Sequence, residues 1–250
     1  QAGGVDGEDI FAPEAWNIIN RSPNVDIAVI DGGIQVNHPD LVNNIWNNSD
    51  EIPGNNIDDD SNGYIDDING WNFVNNNGMP YADLHGTHVA GIIGAEGNNS
   101  TGISGVTWDT NLMSLDVFGA NDLASDSDII DAIYYAADNG AEVINMSIGR
   151  LIPYSSLSDY RLREPAEYAE YYEALKYATD KGSTVIISAG NEDADVGIHL
   201  PLPAAFSSEI DGVISVAAVA NTGDISSYSN YGSLVTIAAP GGDDNGNDGS

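Results

Sequence analysis

The apolar residues of this chain fall into short runs, and six of these runs have the length of a strand. Most of the six are rich in β-branched side chains. Runs of this kind, bounded by turn-forming residues, are typical of strands that are buried on both faces. We therefore predict strands over residues 25–30, 112–117, 143–146, 184–188, 213–219 and 234–238.

Three stretches between these strands have the features of helices. Residues 86–95 are rich in Gly and Ala, which permits a helix to pack closely. Residues 125–139 open with a capping serine that is followed by an acid at the third position, and they end before a glycine. Residues 165–180 start with a proline, which is favoured in a first helical turn, and finish before another glycine.

Strands that alternate with helices predict an α/β fold, with a mainly parallel, twisted sheet covered by helices on both faces. A chain of 250 residues is long enough for one such domain and does not require two. The stretches 46–77 and 241–250 are rich in Asn, Asp and Gly and are predicted to be loops. In a parallel sheet the functional site lies beyond the carboxyl ends of the strands, so candidate chemistry is sought there.

Three polar residues stand at such positions. Asp31 follows the first strand and precedes two glycines, so its carboxylate can orient a histidine, although a simple strand-ending turn explains it as well. His85 stands at the start of the first helix, where its imidazole can project into a cleft. Asn191 follows another strand and can donate to a developing oxyanion, although Asn after Gly is also a common turn residue.

His88 lies three residues after His85, and we predict that it is a packed helix residue. A zinc site built on this pair would need a third ligand. The sequence has neither an HExxH motif nor a cysteine, which leaves such a site without support.

Taken together, the motifs DGGI at 31–34, HGTHVAG at 85–91 and SAGN at 188–191 resemble those of the subtilisin-like serine proteases (subtilases) in order and in spacing. The histidine motif is the most specific of the three. The resemblance runs from about residue 9 to residue 242, and it includes HPDL at 38–41, GV at 105–106, VINMSIG at 143–149, LPA at 202–204 and AAPG at 238–241.

The resemblance implies acyl transfer. Asp31 would orient the histidine, His85 would be the general base, and Asn191 would be the side-chain donor of the oxyanion hole. A serine Oγ would attack the scissile carbonyl, and the acyl-enzyme would then be hydrolysed.

The resemblance also implies a substrate cleft. One wall of the pocket for the side chain preceding the scissile bond would be formed by Ser147, Ile148 and Gly149. Extended substrate would pair, as an added strand, with the backbone of Asp122, Leu123 and Ala124. Pro203 matches a position where the family has a cis proline.

The family's nucleophilic serine lies in a Gly-Thr-Ser-Met-Ala stretch downstream of Ala-Pro-Gly. Here Ala-Pro-Gly at 239–241 is followed by a polar stretch without that motif or a Gly-x-Ser-x-Gly substitute, and Ser250 has no matching context. We therefore expect the serine to come from a C-terminal fragment or a second chain that completes the domain. Residues 1–250 would be an incomplete peptidase domain that is inactive alone. A stable, catalytically inactive relative is the alternative.

Residues 58–67 predict a calcium (Ca²⁺) loop. Oxygen ligands recur at alternate positions, with Gly63 at the sharp turn, and match positions 1, 3, 5, 7 and 9 of an EF-hand-like loop: Asp58, Asp60, Asn62, the Tyr64 carbonyl and Asp66. The twelfth position holds Asn69 rather than Glu, and no flanking helices are evident. The alternative is an acidic solvated loop, in which the carboxylates would repel one another.

The resemblance implies a second calcium site. It would be formed by Asp40 and the Asn99 side chain, with carbonyl groups near Gly97, Thr101 and Ile103.

Residues 150–172 form a connection that is longer than the family's minimal one, and they hold three of the six basic residues: Arg150, Arg161 and Arg163. We predict that these arginines pair with local glutamates; a role in specificity or in binding an acidic partner is the alternative. Arg150 replaces a glycine that is usual in the family. Glu192 would add negative charge near the substrate pocket and favour basic or polar side chains.

The charge balance narrows the function. Six basic residues against 39 acidic ones give a net charge of −33, which repels nucleic acid and anionic membranes and suits high salt or bound cations. The absence of cysteine excludes disulfides and thiol catalysis. No apolar run has membrane-spanning length. We expect a secreted, calcium-stabilised endopeptidase of polypeptides. One alternative is a protein that binds peptides without cleaving them. A metal-binding structural module is the other alternative, but it would not explain the Asp31, His85 and Asn191 motifs.

Overall fold

The structure is a computed structural model that describes residues 7, 9–119 and 123–243. In chain order its helices and strands are α1 (Ala12–Trp16), β1 (Asp26–Asp31), β2 (Gly70–Asn72), α2 (Leu84–Gly94), β3 (Asn111–Asp116), α3 (Asp126–Asp138), β4 (Val143–Met146), β5 (Arg150–Ile152), α4 (Leu157–Arg163), α5 (Pro165–Asp180), β6 (Thr184–Ser188), β7 (Leu200–Leu202), β8 (Val213–Val219) and β9 (Ile237–Pro240). They fall into two compact units. The N-terminal unit comprises residues 19–147 and 181–183, and the C-terminal unit comprises residues 1–18, 148–180 and 184–250.

The N-terminal unit is built on a parallel sheet with the strand order β2-β3-β1-β4. On one face, Ile27 and Val29 of β1 pack against Ala90 of α2. On the other face, Ala28 and Ile30 are fully buried, and α3 contacts both β1 and β3. Helices therefore cover both faces of this sheet, as an α/β fold requires.

The C-terminal unit contains three parallel strands in the order β6-β8-β9 and an antiparallel pair of β5 and β7. Helix α5 packs against β6 and buries Tyr168 and Tyr171. The Tyr168 ring lies 5.4 Å from that of the fully buried Phe206, so aromatic residues form much of this core. The peptide bond between Leu202 and Pro203 is cis, which confirms the prediction made for Pro203.

The predicted strands and helices of the core are all present. Three strands, 143–146, 184–188 and 213–219, have the predicted bounds, and β1 and β3 differ by one residue. Strand β9 begins at Ile237 rather than residue 234, because a turn closed by a hydrogen bond from Val235 N–H to the Gly232 carbonyl occupies the predicted start. The elements not predicted, α1, β2, β5, α4 and β7, have three to seven residues, too few to show a periodic pattern. Among the described residues, no helix has both the length and the apolar character needed to cross a membrane.

Candidate active site

Asp31 and His85 lie side by side at the carboxyl end of the sheet in the N-terminal unit. Asp31 is the last residue of β1 and is 1% exposed, and His85 is in the first turn of α2. The His85 Nδ1 atom lies 2.8 Å and 2.9 Å from the two carboxylate oxygens of Asp31. An ionised carboxylate can only accept, so Nδ1 is the donor in this contact. The His85 side chain is 63% exposed, so the imidazole is accessible from solvent.

Two glycines allow the turn after Asp31 to approach α2 closely. Gly33 has a φ of +106°, and a Cβ added there would lie 2.3 Å from the Tyr81 carbonyl oxygen. A Cβ added to Gly86 would lie 2.3 Å from the Gly33 carbonyl oxygen. Neither position has room for a side chain, and this close backbone contact brings His85 to Asp31.

Asp83 places a second carboxylate beside the pair, which the sequence reasoning missed. It caps α2 by accepting a hydrogen bond of 2.9 Å from Gly86 N–H, and its ligand atom lies within 4.8 Å of those of Asp31 and His85. Burial raises the pKa of Asp31, the charge of Asp83 acts in the same direction, and hydrogen bonds from His85 and Gly32 oppose both. An acid just before a helical run is an N-cap signal that predicts this position.

Asp116 is a third acid near the pair, and it too was missed. It ends β3 directly opposite Asp31 in the strand register and is 1% exposed. Its carboxylate accepts hydrogen bonds from Tyr81 N–H (2.5 Å), the Ser114 hydroxyl (3.0 Å) and Asn72 Nδ2–H (3.1 Å). Burial raises the pKa of Asp116 to about 7 in spite of these donors. An acid within a predicted buried strand was the signal for it.

Asn191 lies in the C-terminal unit, three residues after the end of β6, and its side chain is exposed. The segment that contains it is anchored by hydrogen bonds to Asn230. Its assignment as an oxyanion donor stays a prediction.

The predicted substrate-binding residues have mixed environments. Leu123 is 68% exposed, Ala124 forms a β-bridge with Phe118, and Asp122 lies outside the described residues. The Ser147 hydroxyl accepts a hydrogen bond of 3.0 Å from the Asn145 amide in the N-terminal unit. In the C-terminal unit, Ile148 is buried, and a Cβ on Gly149 would lie 3.0 Å from the Leu202 carbonyl oxygen. Their role in binding substrate stays a prediction.

Comparison with known proteins decides the family, because the sequence model described as the subtilase family matches residues 22–250. The chain belongs to the subtilase family. It is 36% identical over 236 residues to the thermophilic serine proteinase of Bacillus sp. (strain AK1), a match that covers 94% of this chain and 48% of that protein. It is 34% identical over 236 residues to thermitase of Thermoactinomyces vulgaris, covering 94% of this chain and 68% of thermitase.

A solved structure shows the same fold. The crystal structure of the nisin leader peptidase NisP from Lactococcus lactis superposes with a TM-score of 0.62 at 30% identity, covering 91% of this chain and 64% of that one. This subtilase chain therefore spans about half the length of its Bacillus relative and somewhat less than two thirds of the NisP chain.

The acidic loop of this subtilase brings carboxylates together. Ligand atoms of Glu51, Asp58 and Asp60 lie within 4.8 Å of one another, so they could share one metal ion. Glu51 was not predicted, because it precedes the loop in sequence. It is 5% exposed, and it accepts hydrogen bonds from the N–H groups of Asp59, Asp60 and Asp66.

The other predicted ligands of this loop differ in their placement. Asn62 joins the cluster through a hydrogen bond of 3.0 Å from its Nδ2 to Asp60. The Tyr64 ring lies 4.9 Å from that of Trp71 and 4.8 Å from that of Tyr135, which anchors this part of the loop. Asp66 is outside the carboxylate cluster: its side chain accepts from the N–H groups of residues 54–56 instead.

The residues of the second predicted calcium site also lie together. Asp40 is 2% exposed and accepts hydrogen bonds from Asn99 Nδ2 (2.7 Å) and Ile103 N–H (2.9 Å). Asn99 Oδ1 accepts from Thr101 N–H at 2.9 Å. Gly97 packs against Trp108, where an added Cβ would come within 2.1 Å of the indole ring. The structure thus gathers Asn99 and the backbone of residues 101–103 around the Asp40 carboxylate.

His88 and two of the three arginines have surroundings that differ from the predicted ones. The prediction that His88 is packed is wrong: α2 buries Gly86, Ala90, Gly91 and Gly94, and His88 is exposed on another side. Arg150 pairs with Glu167 at 2.5 Å, which confirms a local glutamate partner. Arg163 pairs with Asp159 instead, and Arg161 lies over the Tyr168 ring, 5.4 Å from its centroid.

Proposed function

We propose that this chain is most of the catalytic domain of a serine endopeptidase, in which Asp31 and His85 activate a serine supplied from outside residues 1–250. The observation that carries the proposal is the hydrogen bond from His85 Nδ1 to both oxygens of the buried Asp31 carboxylate. Membership of the subtilase family supports it. The chain spans only part of the length of its relatives, and we propose the same activity, on polypeptide substrates, for the whole protein.

Each residue has a defined task in the proposed reaction. His85 Nε2 takes the proton from the serine Oγ as the oxygen attacks the peptide carbonyl, and it then gives the proton to the leaving amine. Asp31 keeps the proton on Nδ1 and stabilises the imidazolium that forms in between, and Asp83 adds negative charge to the same place. The Asn191 amide donates to the oxyanion of the tetrahedral intermediate.

The C-terminal unit supports a serine-bearing segment beyond these residues. Within the described chain, β9 pairs only with β8, and its apolar side chains are open to solvent: Ile237 is 52% exposed and Ala238 is also exposed. An uncovered apolar strand at the edge of a sheet is normally covered by further structure. We propose that the segment with the serine, whether on the same chain or on a separate fragment, covers this strand, and that residues 1–250 alone do not cleave peptides.

Two calcium sites are part of the proposal. Glu51, Asp58 and Asp60 would hold one ion, together with Asn62 and the Tyr64 carbonyl; Asp40 and Asn99 would hold the other. Carboxylate, amide and carbonyl oxygens are the ligands that Ca²⁺ prefers, so the residues present fit this ion. Bound calcium would supply positive charge that offsets the repulsion between carboxylates within 4.8 Å of one another. Secretion is the location that we propose, by resemblance to the family.

Peptide hydrolysis by the intact protein tests the proposed function. His85→Ala should lower kcat by on the order of a million-fold, to the level that substrate binding and oxyanion stabilisation leave. His88→Ala is the matched control, because it removes an exposed imidazole from the same helix that is not hydrogen-bonded to Asp31, and it should leave kcat unchanged. A folded wild-type protein without activity, or equal activity of the His85 variant, would exclude the protease and leave the peptide-binding alternative.

A further inference from the structure

Asn230 lies on a loop of the C-terminal unit, is completely buried, and uses its whole side-chain amide for hydrogen bonding. Its Nδ2 donates to the Ala189 carbonyl (2.8 Å) and to Glu192 Oε2 (2.6 Å). Its Oδ1 accepts from the N–H groups of Glu192 (3.1 Å) and Ala194 (3.0 Å). A carboxamide has two donors and two acceptor positions, so none is left over.

These bonds bracket Asn191. Asn230 binds Ala189 before it and Glu192 and Ala194 after it, and the Asn230 backbone N–H donates to the Gly190 carbonyl at 3.1 Å. Gly190 has a φ of +105°, and a Cβ added there would lie 2.4 Å from Asn230 Nδ2. The loop conformation therefore depends on glycine at 190 and on the asparagine amide that occupies the space beside it.

We propose that Asn230 is a positioning residue that holds the Asn191 amide where it can donate to the oxyanion. This inference rests on the proposed function, because it takes Asn191 as the oxyanion donor. An oxyanion donor must lie about 2.7–3.1 Å from the developing charge, and a displacement of about 1 Å costs on the order of a hundredfold in rate. Asn191 itself is exposed, so the anchoring of its neighbours sets its place.

A double-mutant cycle on the intact, active protein tests this role. Asn191→Ala should lower kcat about 100- to 1,000-fold. Asn230→Ala should lower kcat roughly tenfold to a hundredfold with little change in KM, because the donor is displaced and substrate contacts are kept. If Asn230 acts through Asn191, the double variant should match Asn191→Ala within about twofold. The inference would be overturned if the decrease in kcat of the double variant equalled the product of the two single decreases, or if Asn230→Ala kept the wild-type kcat.

A control separates positioning from stability. Asn44 is also buried, and its amide donates to the carbonyls of Gly94 and Trp108 rather than to the 189–194 loop. Asn44→Ala should lower the melting temperature as Asn230→Ala does, but keep kcat. Equal losses of kcat in both variants would show that lost stability, not positioning, is responsible.

A second variant serves if Asn230→Ala does not fold. Asn230→Asp keeps the shape but loses both Nδ2 donations and faces the Glu192 carboxylate, so kcat should fall. Adding Glu192→Gln restores one donor to this contact, and kcat should partly recover. No recovery would count against the inference. An inactive wild type would instead overturn the proposed function, and with it the premise of this inference.

Discussion

Replacing Asp116 with asparagine should change how the stability of the protein depends on pH. Burial at 1% exposure raises the pKa of Asp116 from its usual 3.8 to about 7, although hydrogen bonds from Tyr81, Ser114 and Asn72 stabilise the charged form. Asp31 is the charged group that faces it, and its negative charge acts in the same direction as burial. The folded protein therefore binds the Asp116 proton more tightly than the unfolded chain does.

The sign and size of the effect follow by linkage. Well below pH 3.8 this carboxyl is protonated in both states and costs nothing. Between pH 3.8 and about pH 7, the Asp116 carboxyl ionises more readily in the unfolded chain than in the folded protein, so the free energy of unfolding decreases. Above about pH 7 the carboxyl is ionised in both states, and the decrease stays constant. A pKa difference of about three units corresponds to about 4 kcal/mol. The wild type therefore carries this cost at neutral pH, and Asp116→Asn does not.

Urea denaturation at fixed calcium between pH 4 and pH 8.5 measures this difference. The free energy of unfolding of Asp116→Asn minus that of the wild type should rise by about 4 kcal/mol over this range. Hydrogen bonds lost with the carboxylate shift the two curves by an amount independent of pH, so the slope is the readout. Asp211→Asn, at an exposed position, is the control and should run parallel to wild type. Parallel curves for Asp116→Asn as well would refute the reasoning.

Two further predictions concern calcium and the packing of α2. A calcium chelator should lower the melting temperature of the wild type. Glu51→Gln should make this decrease smaller, whereas Glu14→Gln, at an exposed position, should leave it unchanged. A wild-type melting temperature that the chelator does not change would exclude the proposed calcium sites. Gly86→Ala should destabilise the fold by about 1–3 kcal/mol and lower kcat, because the new Cβ meets the Gly33 carbonyl oxygen at 2.3 Å. Gly91→Ala is the control: its Cβ would meet only the Ile103 side chain at 3.5 Å, so it should be neutral or stabilise by up to about 1 kcal/mol. Equal effects of the two substitutions would contradict the close contact between α2 and Gly33.

The predicted part of the site consists of residues whose position can be read from local sequence. Asp31 ends an apolar strand and His85 lies in the first turn of a helix, so the sequence predicts the type of each element and where it ends or begins. Functional residues of parallel sheets lie beyond the carboxyl ends of the strands, which predicts that both residues lie at one edge of the sheet. The spacing of acids in the Asp58–Asn62 loop is also local, and the structure brings Asp58 and Asp60 together with Glu51; their role as calcium ligands stays a prediction. His88 was assigned to the wrong side of α2, because a helix rich in glycine and alanine has no strong apolar stripe to show which side is buried.

The residues that were missed act through contacts between distant segments. Asp116 binds Tyr81, which is 35 residues away, and Asn230 binds Ala189, which is 41 residues away. Neither spacing is periodic, so no local pattern predicts it. Their importance depends on which backbone groups the fold brings within hydrogen-bonding distance, and that is visible only in three dimensions.

Labelling with a fluorophosphonate, followed by mass-spectrometric mapping, tests the central claim most directly, because this reagent reacts with a serine that a histidine has activated. In the intact, folded protein it should modify one serine, in a peptide outside residues 1–250, and His85→Ala should abolish the modification. An intact, folded protein that takes up no label, or a labelled serine within residues 1–250 that is unaffected by His85→Ala, would contradict the claim that the Asp31–His85 pair activates a serine supplied from outside these residues.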